Sequence, residues 1–334
     1  MSDKKRILSG MQSTGYLHLG NLEVLKNWAR LQDEYDCYFF VANWHSLTTI
    51  RDPGDTDRHR ELVRAVATDY LAGGLDPDKC TIFVQSDILE LAELHLLFSM
   101  ITNVGKLERV PSYKDKREQL GIDAPSYGLL GYPVLQAADI LMYRPAAVPV
   151  GVDQEAHLEL TREVARSFNY LFGEIFPEPL ALLSEFPLVP GIDGRKMSKS
   201  YGNAIYMSEN EDEVNAKVKT MFTDPERIQR TDIGHPDKCP VHEMHKMYSR
   251  DRFDVAATVH DPCAAGDPNW GCVKCKAELA VSINLALAPV RERRGQILSQ
   301  PGGLDEILAQ GREKAHAVAQ ETMKMVRTAM KTGY

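Results

Sequence analysis

Apolar residues follow two rhythms along this chain. Positions 37–42 and 81–85, Cys-Tyr-Phe-Phe-Val-Ala and Thr-Ile-Phe-Val-Gln, are short apolar runs of the kind buried on both faces of a sheet. Arg6-Ile-Leu-Ser reads as a further short strand. Between and after these runs the apolar positions recur every three to four residues, which predicts helices. One spans 21–34, with Leu22, Leu25, Trp28 and Leu31 on its period, and a second spans 57–72, ended by Gly73-Gly74. Others cover 132–143 and 154–168. Strands alternating with helices predict an α/β, doubly wound parallel sheet over residues 1–200. Beyond Ser200 no run resembles a buried strand. Helices are expected at 211–221, 242–248, 275–294 and 304–331. This texture predicts a smaller all-helical domain at 205–298 and a C-terminal helix at 299–334 that packs back on the first domain.

Composition refines this picture in three ways. Of the 334 residues, 43% are hydrophobic and 26% charged, enough for a sizeable core in an ordinary globular protein. No apolar run approaches the ~20 residues of a membrane span, and the start of the chain carries no signal peptide, so a cytoplasmic protein is expected. A net charge of -8 lacks the basic excess of a general nucleic-acid binder. Residues 217–252 hold eight Lys/Arg against six Asp/Glu, hardly a basic stripe. Six cysteines in a reducing compartment predict no disulfides. Cys37 lies in one apolar run and Cys80 adjoins the other, and both read as small core residues.

Two segments carry chemistry. Gly10-Met-Gln-Ser-Thr-Gly-Tyr-Leu-His-Leu-Gly-Asn21 lies between a strand and a helix. Its glycines let backbone approach a ligand closely, and the following helix offers free N–H groups to an anion. His18 and Asn21 can donate to phosphate or ribose. The spacing is neither a dinucleotide fingerprint nor a Walker loop. Lys196-Met-Ser-Lys-Ser200 follows the glycine-rich Gly191-Ile-Asp-Gly-Arg195. Two lysines and two hydroxyls on such a loop suit closure over a polyphosphate, where lysine charge stabilises a departing pyrophosphate.

Together these strings resemble the class I aminoacyl-tRNA synthetases, in which a HIGH-type motif and a KMSKS loop flank ATP. His18-Leu-Gly-Asn21 is similar to the tryptophanyl-tRNA synthetase form of the first motif. The resemblance extends through 127–143 and 148–162, and it covers essentially the whole chain from Ile7 onward. It implies a Rossmann-like catalytic domain, a helical anticodon-binding domain, ATP with Mg²⁺, L-tryptophan and tRNA(Trp) as ligands, and a homodimer. Residue by residue, it implies that Gln12, Ser13, Thr14, Gly20, Asn21, Gly151, Val152, Asp153, Val189, Lys196, Met197, Ser198, Lys199 and Ser200 bind ATP. His18, Lys114, Lys196 and Lys199 are the implied catalytic groups. Asp139, Tyr132, Gln136, His45 and Gln154 are the implied tryptophan contacts.

The chemistry of Asp139 agrees with that implication. It interrupts the apolar helix segment Leu135 to Leu141, where a carboxylate is costly unless paired. It could accept an indole N–H and so reject analogues lacking that donor. Two departures from the family pattern stand out. Gln136, three residues before Asp139, is also a feature of tyrosyl-tRNA synthetases, and Val152 replaces an acidic residue. Tyrosine therefore remains the alternative substrate, and a non-charging paralogue that only binds or regulates remains the alternative class.

Cys239, Cys263, Cys272 and Cys275 form a cluster with one Cys-x2-Cys knuckle. Its spacing admits either Zn²⁺ or a [4Fe–4S] cluster. The order resembles that of an iron–sulfur-bearing subset of the tryptophanyl family, which implies [4Fe–4S].

Overall fold

A computed structural model describes residues 4–48, 53–119, 121, 124–151, 155–183 and 188–332. Five parallel strands, β1 (Arg6–Gln12), β2 (Asp36–Ala42), β3 (Cys80–Val84), β4 (Ala147–Val150) and β5 (Leu180–Leu183), lie in the order β3-β2-β1-β4-β5. The order reverses beside β1, so the crevice between the carboxyl ends of β1 and β4 is the natural ligand site of this topology. In the first half the helices are α1 (Leu19–Leu31), α2 (Asn43–Leu47), α3 (Pro53–Ala72), α4 (Glu90–Ser99), α5 (Val104–Leu107), α6 (Pro111–Gln119), α7 (Tyr127–Met142) and α8 (Glu155–Phe172). After the last strand come α9 (Glu211–Thr220), α10 (Pro240–Tyr248), α11 (Asp261–Ala264), α12 (Cys272–Ser299) and α13 (Gly303–Met330).

Several elements differ from the apolar pattern for local reasons. The first helix begins at Leu19 rather than residue 21, because His18 caps it. α7 begins at Tyr127 rather than 132, because Ser126 Oγ accepts from the Leu129 amide at 3.2 Å. β4 and β5 escape the pattern altogether. β4 is four residues long and contains Pro149, while β5 is an edge strand with exposed Leu180 and Leu183.

Alternate residues of the strands feed two apolar layers. Ile7, Phe39, Val41 and Ile82 face one side with Leu25 and Trp28, whose ring stacks on Phe39 at 4.5 Å. Leu8, Tyr38, Phe40 and Phe83 face the other, with Leu94 and Leu141. The first layer continues without a break into Val214, Met244, Leu279 and Ile283 of the later helices. Cys37 and Cys80 are buried neighbours in register, and burial pushes each thiol up to about 12.

α13 runs along β3, the edge strand on that side. Gly311 makes the approach possible: a Cβ there would fall 1.8 Å from the Ile82 carbonyl oxygen. Thr322 Oγ1 donates to the Met142 carbonyl at 2.8 Å, and Arg327 pairs with Glu93. The helix thus covers an edge that would otherwise invite pairing with another chain. Among the described residues no helix is long and apolar enough to cross a membrane.

Candidate active site

The first glycine-rich segment leaves β1 and turns into α1. His18 holds an extended conformation, and its Nδ1 accepts the Gly20 amide at 3.1 Å. Asn21 Oδ1 accepts the His18 amide at 3.0 Å, completing a reciprocal cap. Burial, then the charges of Lys199 and Lys196, hold His18 down at about 4. The ring is therefore neutral at pH 7, with Nδ1 accepting and the proton on Nε2, which leaves Nε2–H as the donor available to a ligand. The caps consume Nδ1 of His18 and Oδ1 of Asn21, so only Nε2–H and the Asn21 amide nitrogen remain for phosphate or ribose. Ser13 is buried, with its hydroxyl 3.1 Å from that of Ser46. Gln12 is half-buried and Thr14 exposed.

The lysine loop is held against this segment. The Leu19 amide donates to Ile205 O at 3.0 Å and the Met207 amide to Leu17 O at 2.8 Å. Residues 189–197 form a tight hairpin, with the Met197 amide donating to Val189 O at 2.8 Å and the Gly191 amide to Arg195 O at 2.7 Å. Gly194 supplies the left-handed turn, at φ 83°. Asn203 fastens the loop from beneath. Its Nδ2 donates to Asp193 Oδ1 at 2.7 Å and to Lys196 O at 3.1 Å, and its Oδ1 accepts the Ser198 amide at 2.8 Å. A Cβ at Gly191 would fall 2.3 Å from that Asn203 nitrogen, so glycine is required there. Met197 and Val189 are buried, Lys196 and Ser200 exposed, and the hydroxyls of Ser198 and Ser200 lie 2.9 Å apart.

Lys199 joins the two motifs. Its Nζ donates to the Gly15 carbonyl at 2.7 Å, and its stem lies where a Gly15 side chain would be. Burial lowers the ammonium to about 8, while Asp69 pulls it the other way. An ammonium poised between charged and neutral, held on a backbone carbonyl beside a helix N-terminus, is prepared to exchange that carbonyl for phosphate oxygens.

The second part of the site is a buried carboxylate. Asp139, on the inner face of α7, is 1% exposed. His45 Nε2, from α2, donates to its Oδ2 at 2.7 Å. Gln85 Nε2 donates to Oδ1 at 2.8 Å and Oδ2 at 2.9 Å, while Gln85 Oε1 accepts the Trp44 amide at 2.9 Å. A carboxylate offers about four acceptor positions. Three are taken by described residues, two on Oδ2 and one on Oδ1. Tyr132 and Gln136 share the Asp139 side of α7 at intervals of seven and three residues. The Tyr132 hydroxyl lies 2.5 Å from Ser112 Oγ, which lies 2.5 Å from His157 Nε2, and the Tyr132 ring packs edge-on to His45. Gln136 is half-buried. A cavity of about 240 Å³ opens alongside, between α2, α4 and α7, lined by Trp44, His95, Gly131, Tyr132 and Leu135 among others.

Not every expected residue is brought in. Lys114 is exposed on α6. Gly151 directly follows β4, whereas Val152, Asp153 and Gln154 lie outside the described residues. Conversely, Gln85, Asn203 and Ser112 have structural claims that the sequence reading missed. Gln85 has a signal, as the polar end of an apolar strand. Asn203 and Ser112 have none, because their partners are distant or irregular in sequence.

The four clustered cysteines lie around the start of α12. Cys239 precedes α10, Cys263 lies in α11, and Cys272 and Cys275 occupy the first turn of α12. Burial, then the neighbouring thiols Cys239, Cys263 and Cys272, pushes the Cys275 thiol far up, and burial likewise raises Cys263. Thiols such as Cys275 and Cys263, whose ionisation the site opposes, fit a cationic group that would take them as thiolates. Among the described residues no three of these sulfurs lie within 4.8 Å of one another. That is wider than the ~3.8 Å edge of a zinc tetrathiolate with 2.3 Å bonds.

Comparison with known proteins places this geometry. Residues 2–288 match the family described as tRNA synthetases class I (W and Y). The chain is 48% identical to the tryptophan–tRNA ligase of Thermotoga maritima, over 97% of this chain and 98% of that one. It is 41% identical to the tryptophan–tRNA ligase of Aquifex aeolicus, over 97% and 99%. The fold superposes with TM-score 0.85 on a tryptophanyl-tRNA synthetase from Campylobacter jejuni solved with ADP and tryptophan, at 33% identity and covering 98% and 99% of the two chains. The chain therefore belongs to the class I tRNA synthetases of the tryptophan and tyrosine family, among the tryptophan–tRNA ligases.

Proposed function

We propose that this chain activates L-tryptophan with ATP, forming tryptophanyl-adenylate and pyrophosphate, and then transfers the tryptophan to tRNA(Trp). The observation that carries the substrate is the buried Asp139 carboxylate, held by His45 and Gln85 with a fourth acceptor position that no described residue takes. Such a position suits the single N–H of an otherwise apolar indole.

In the first step the substrate carboxylate attacks the α-phosphorus in line, and pyrophosphate departs. The carboxylate is already ionised, so no protein base is required. The chain supplies positioning and charge. Gln12, Ser13, Thr14, Gly20 and Asn21 border the phosphates and ribose over the N-terminus of α1. Gly151, Val152 and Asp153 are assigned to the ribose, and Val189 and Met197 to the adenine. His18 donates from Nε2, and Ser198 and Ser200 supply hydroxyls. Lys196, Lys199 and Lys114 neutralise the departing pyrophosphate, with Mg²⁺ entering on ATP. Tyr132, Gln136, His45 and Gln154 complete the tryptophan slot. In the second step a terminal ribose hydroxyl of the tRNA takes the aminoacyl group, and AMP leaves.

The same reading extends to the assembly. Residues 205–298 form the anticodon-binding region and 299–334 the helix returning to the catalytic part. The protein works in the cytoplasm as a homodimer. Exposed Leu89, Leu96, Met100, Val104 and Tyr127 along α4, α5 and the start of α7 support an apolar contact with a second copy. The four cysteines bind a [4Fe–4S] cluster that fixes the α10–α12 connection, a reading supported by the gathering of Cys239, Cys263, Cys272 and Cys275 around the start of α12. Anaerobically prepared protein should be brown, absorb in the blue and carry about four irons per chain, with Cys→Ser variants losing them. Colourless, iron-free protein would remove the cluster from the account.

Charging of tRNA(Trp) with tryptophan tests the function as a whole. The ligase accumulates tryptophanyl-tRNA. A paralogue that only binds would retain tRNA or tryptophan without forming the ester.

A further inference from the structure

One charge beneath the ATP motifs belongs to neither of them. Asp69, on α3, is fully buried among Val66, Ala67, Tyr70 and Leu71, all buried as well. Its carboxylate pairs with Arg294 of α12 and accepts the Leu17 amide at 3.4 Å, one residue before the His18 cap. Its charge reaches Lys199, whose Nζ rests on the Gly15 carbonyl. Arg293, next along α12, donates from Nε to the Ala72 carbonyl at 2.7 Å, so consecutive arginines fasten α12 to the end of α3.

If adhesion between α3 and α12 were the whole requirement, an apolar pair would serve at lower desolvation cost. The carboxylate instead touches two elements at once, the segment ahead of His18 and the long helix of the later region, and that segment carries the Gly15 carbonyl on which Lys199 rests.

We propose that the Asp69–Arg294 pair is a positioning element for adenylate formation, in which Asp69 places a negative charge behind the 15–17 segment on which Lys199 rests while Arg294 ties that charge to α12. With no nucleotide bound, Lys199 rests on the Gly15 carbonyl. When ATP enters, the polyphosphate takes the ammonium, and Asp69 keeps it aligned and charged. Displacement of α12 by whatever the later helices bind would move Arg294, and through Asp69 the lysine. This inference rests on the adenylation chemistry proposed above.

The test is a mutant cycle read by pyrophosphate exchange into ATP. Exchange by the unaltered chain tests the adenylation reading separately. Asp69→Leu with Arg294→Met removes both charges and leaves an apolar contact, with the melting curve as the check on folding. Asp69→Asn serves if the double variant fails to fold. The expected result is a loss of about tenfold in kcat/KM for ATP, the worth of one charge interaction. In a Lys199→Ala background the same substitutions should cost less than about twofold. Equal losses in both backgrounds would mean a purely structural pair. No loss in either would remove Asp69 from the reaction. Either result overturns the inference.

Discussion

Lys199 and His18 have their charge states set by the same few ångströms of packing, with opposite consequences for a pH profile. Lys199 is drawn down to about 8 by burial, so its charge is present below that pH and lost above it. Since kcat/KM reports the free enzyme, kcat/KM for ATP should fall as the pH rises through about 8. A value that stays flat to pH 9.5 would contradict a role for the Lys199 charge in ATP capture. His18 lies at about 4 against an ordinary 6.5. The unfolded chain then takes up more protons between pH 6.5 and 4, and stability is lost as the pH falls through that window. His18→Asn keeps a capping oxygen without the titration. Its melting temperature should fall less between pH 7 and pH 5 than that of the unaltered protein; an identical fall would contradict the assignment. At Asp139, Asn presents an amide N–H to the donors of Gln85 or His45, and one of them loses its partner. Asp139→Asn should therefore cost at least about a hundredfold in kcat/KM for tryptophan. Wild-type activity in that variant would mean that the carboxylate does not read the indole.

At the scale of elements, local chemistry explains both what the sequence revealed and what it hid. β2 and β3 announced themselves because double-sided burial writes an unbroken apolar run, and β1 by the short Ile7-Leu8 pair ahead of a glycine-rich turn. β4 and β5 did not, because Pro149 and an edge position leave no such run. Helix starts moved by several residues where a side chain, His18 or Ser126, captured a free amide outside the apolar period. The long α13 was legible from its period, but its dependence on Gly311 was not, since that glycine is defined by the Ile82 backbone on a distant strand. Gly311→Ala should cost more than about 2 kcal/mol through overpacking, read as a lowered denaturation midpoint. An unchanged midpoint would show that α13 does not lie against β3 at this distance. The hairpin 189–197 depends in the same way on Asn203, which is buried and whose side chain makes two hydrogen bonds to it and a third to Ser198 just beyond.

At the scale of the molecule, sequence order concealed what the fold brings together. Gly15 and Lys199 meet through side chain and carbonyl, and Asp69 and Arg294 meet from α3 and α12. The two motifs were readable because each is contiguous, and Asp139 because a carboxylate within an apolar helix is conspicuous. Gln85, which holds that carboxylate, and Asp69, which underlies the lysine, come from elements whose periodicity speaks only of packing. One apolar layer runs from the sheet into the later helices, so the ATP motifs and the cysteine-bearing region share a continuous core. The central claim is that this machinery serves tryptophan. Its most direct test is amino-acid-dependent exchange of labelled pyrophosphate into ATP by the purified chain. The account predicts robust exchange with tryptophan and at least about a thousandfold lower kcat/KM with tyrosine, given a polar group placed for the indole N–H. Exchange supported by tyrosine and not by tryptophan would contradict it.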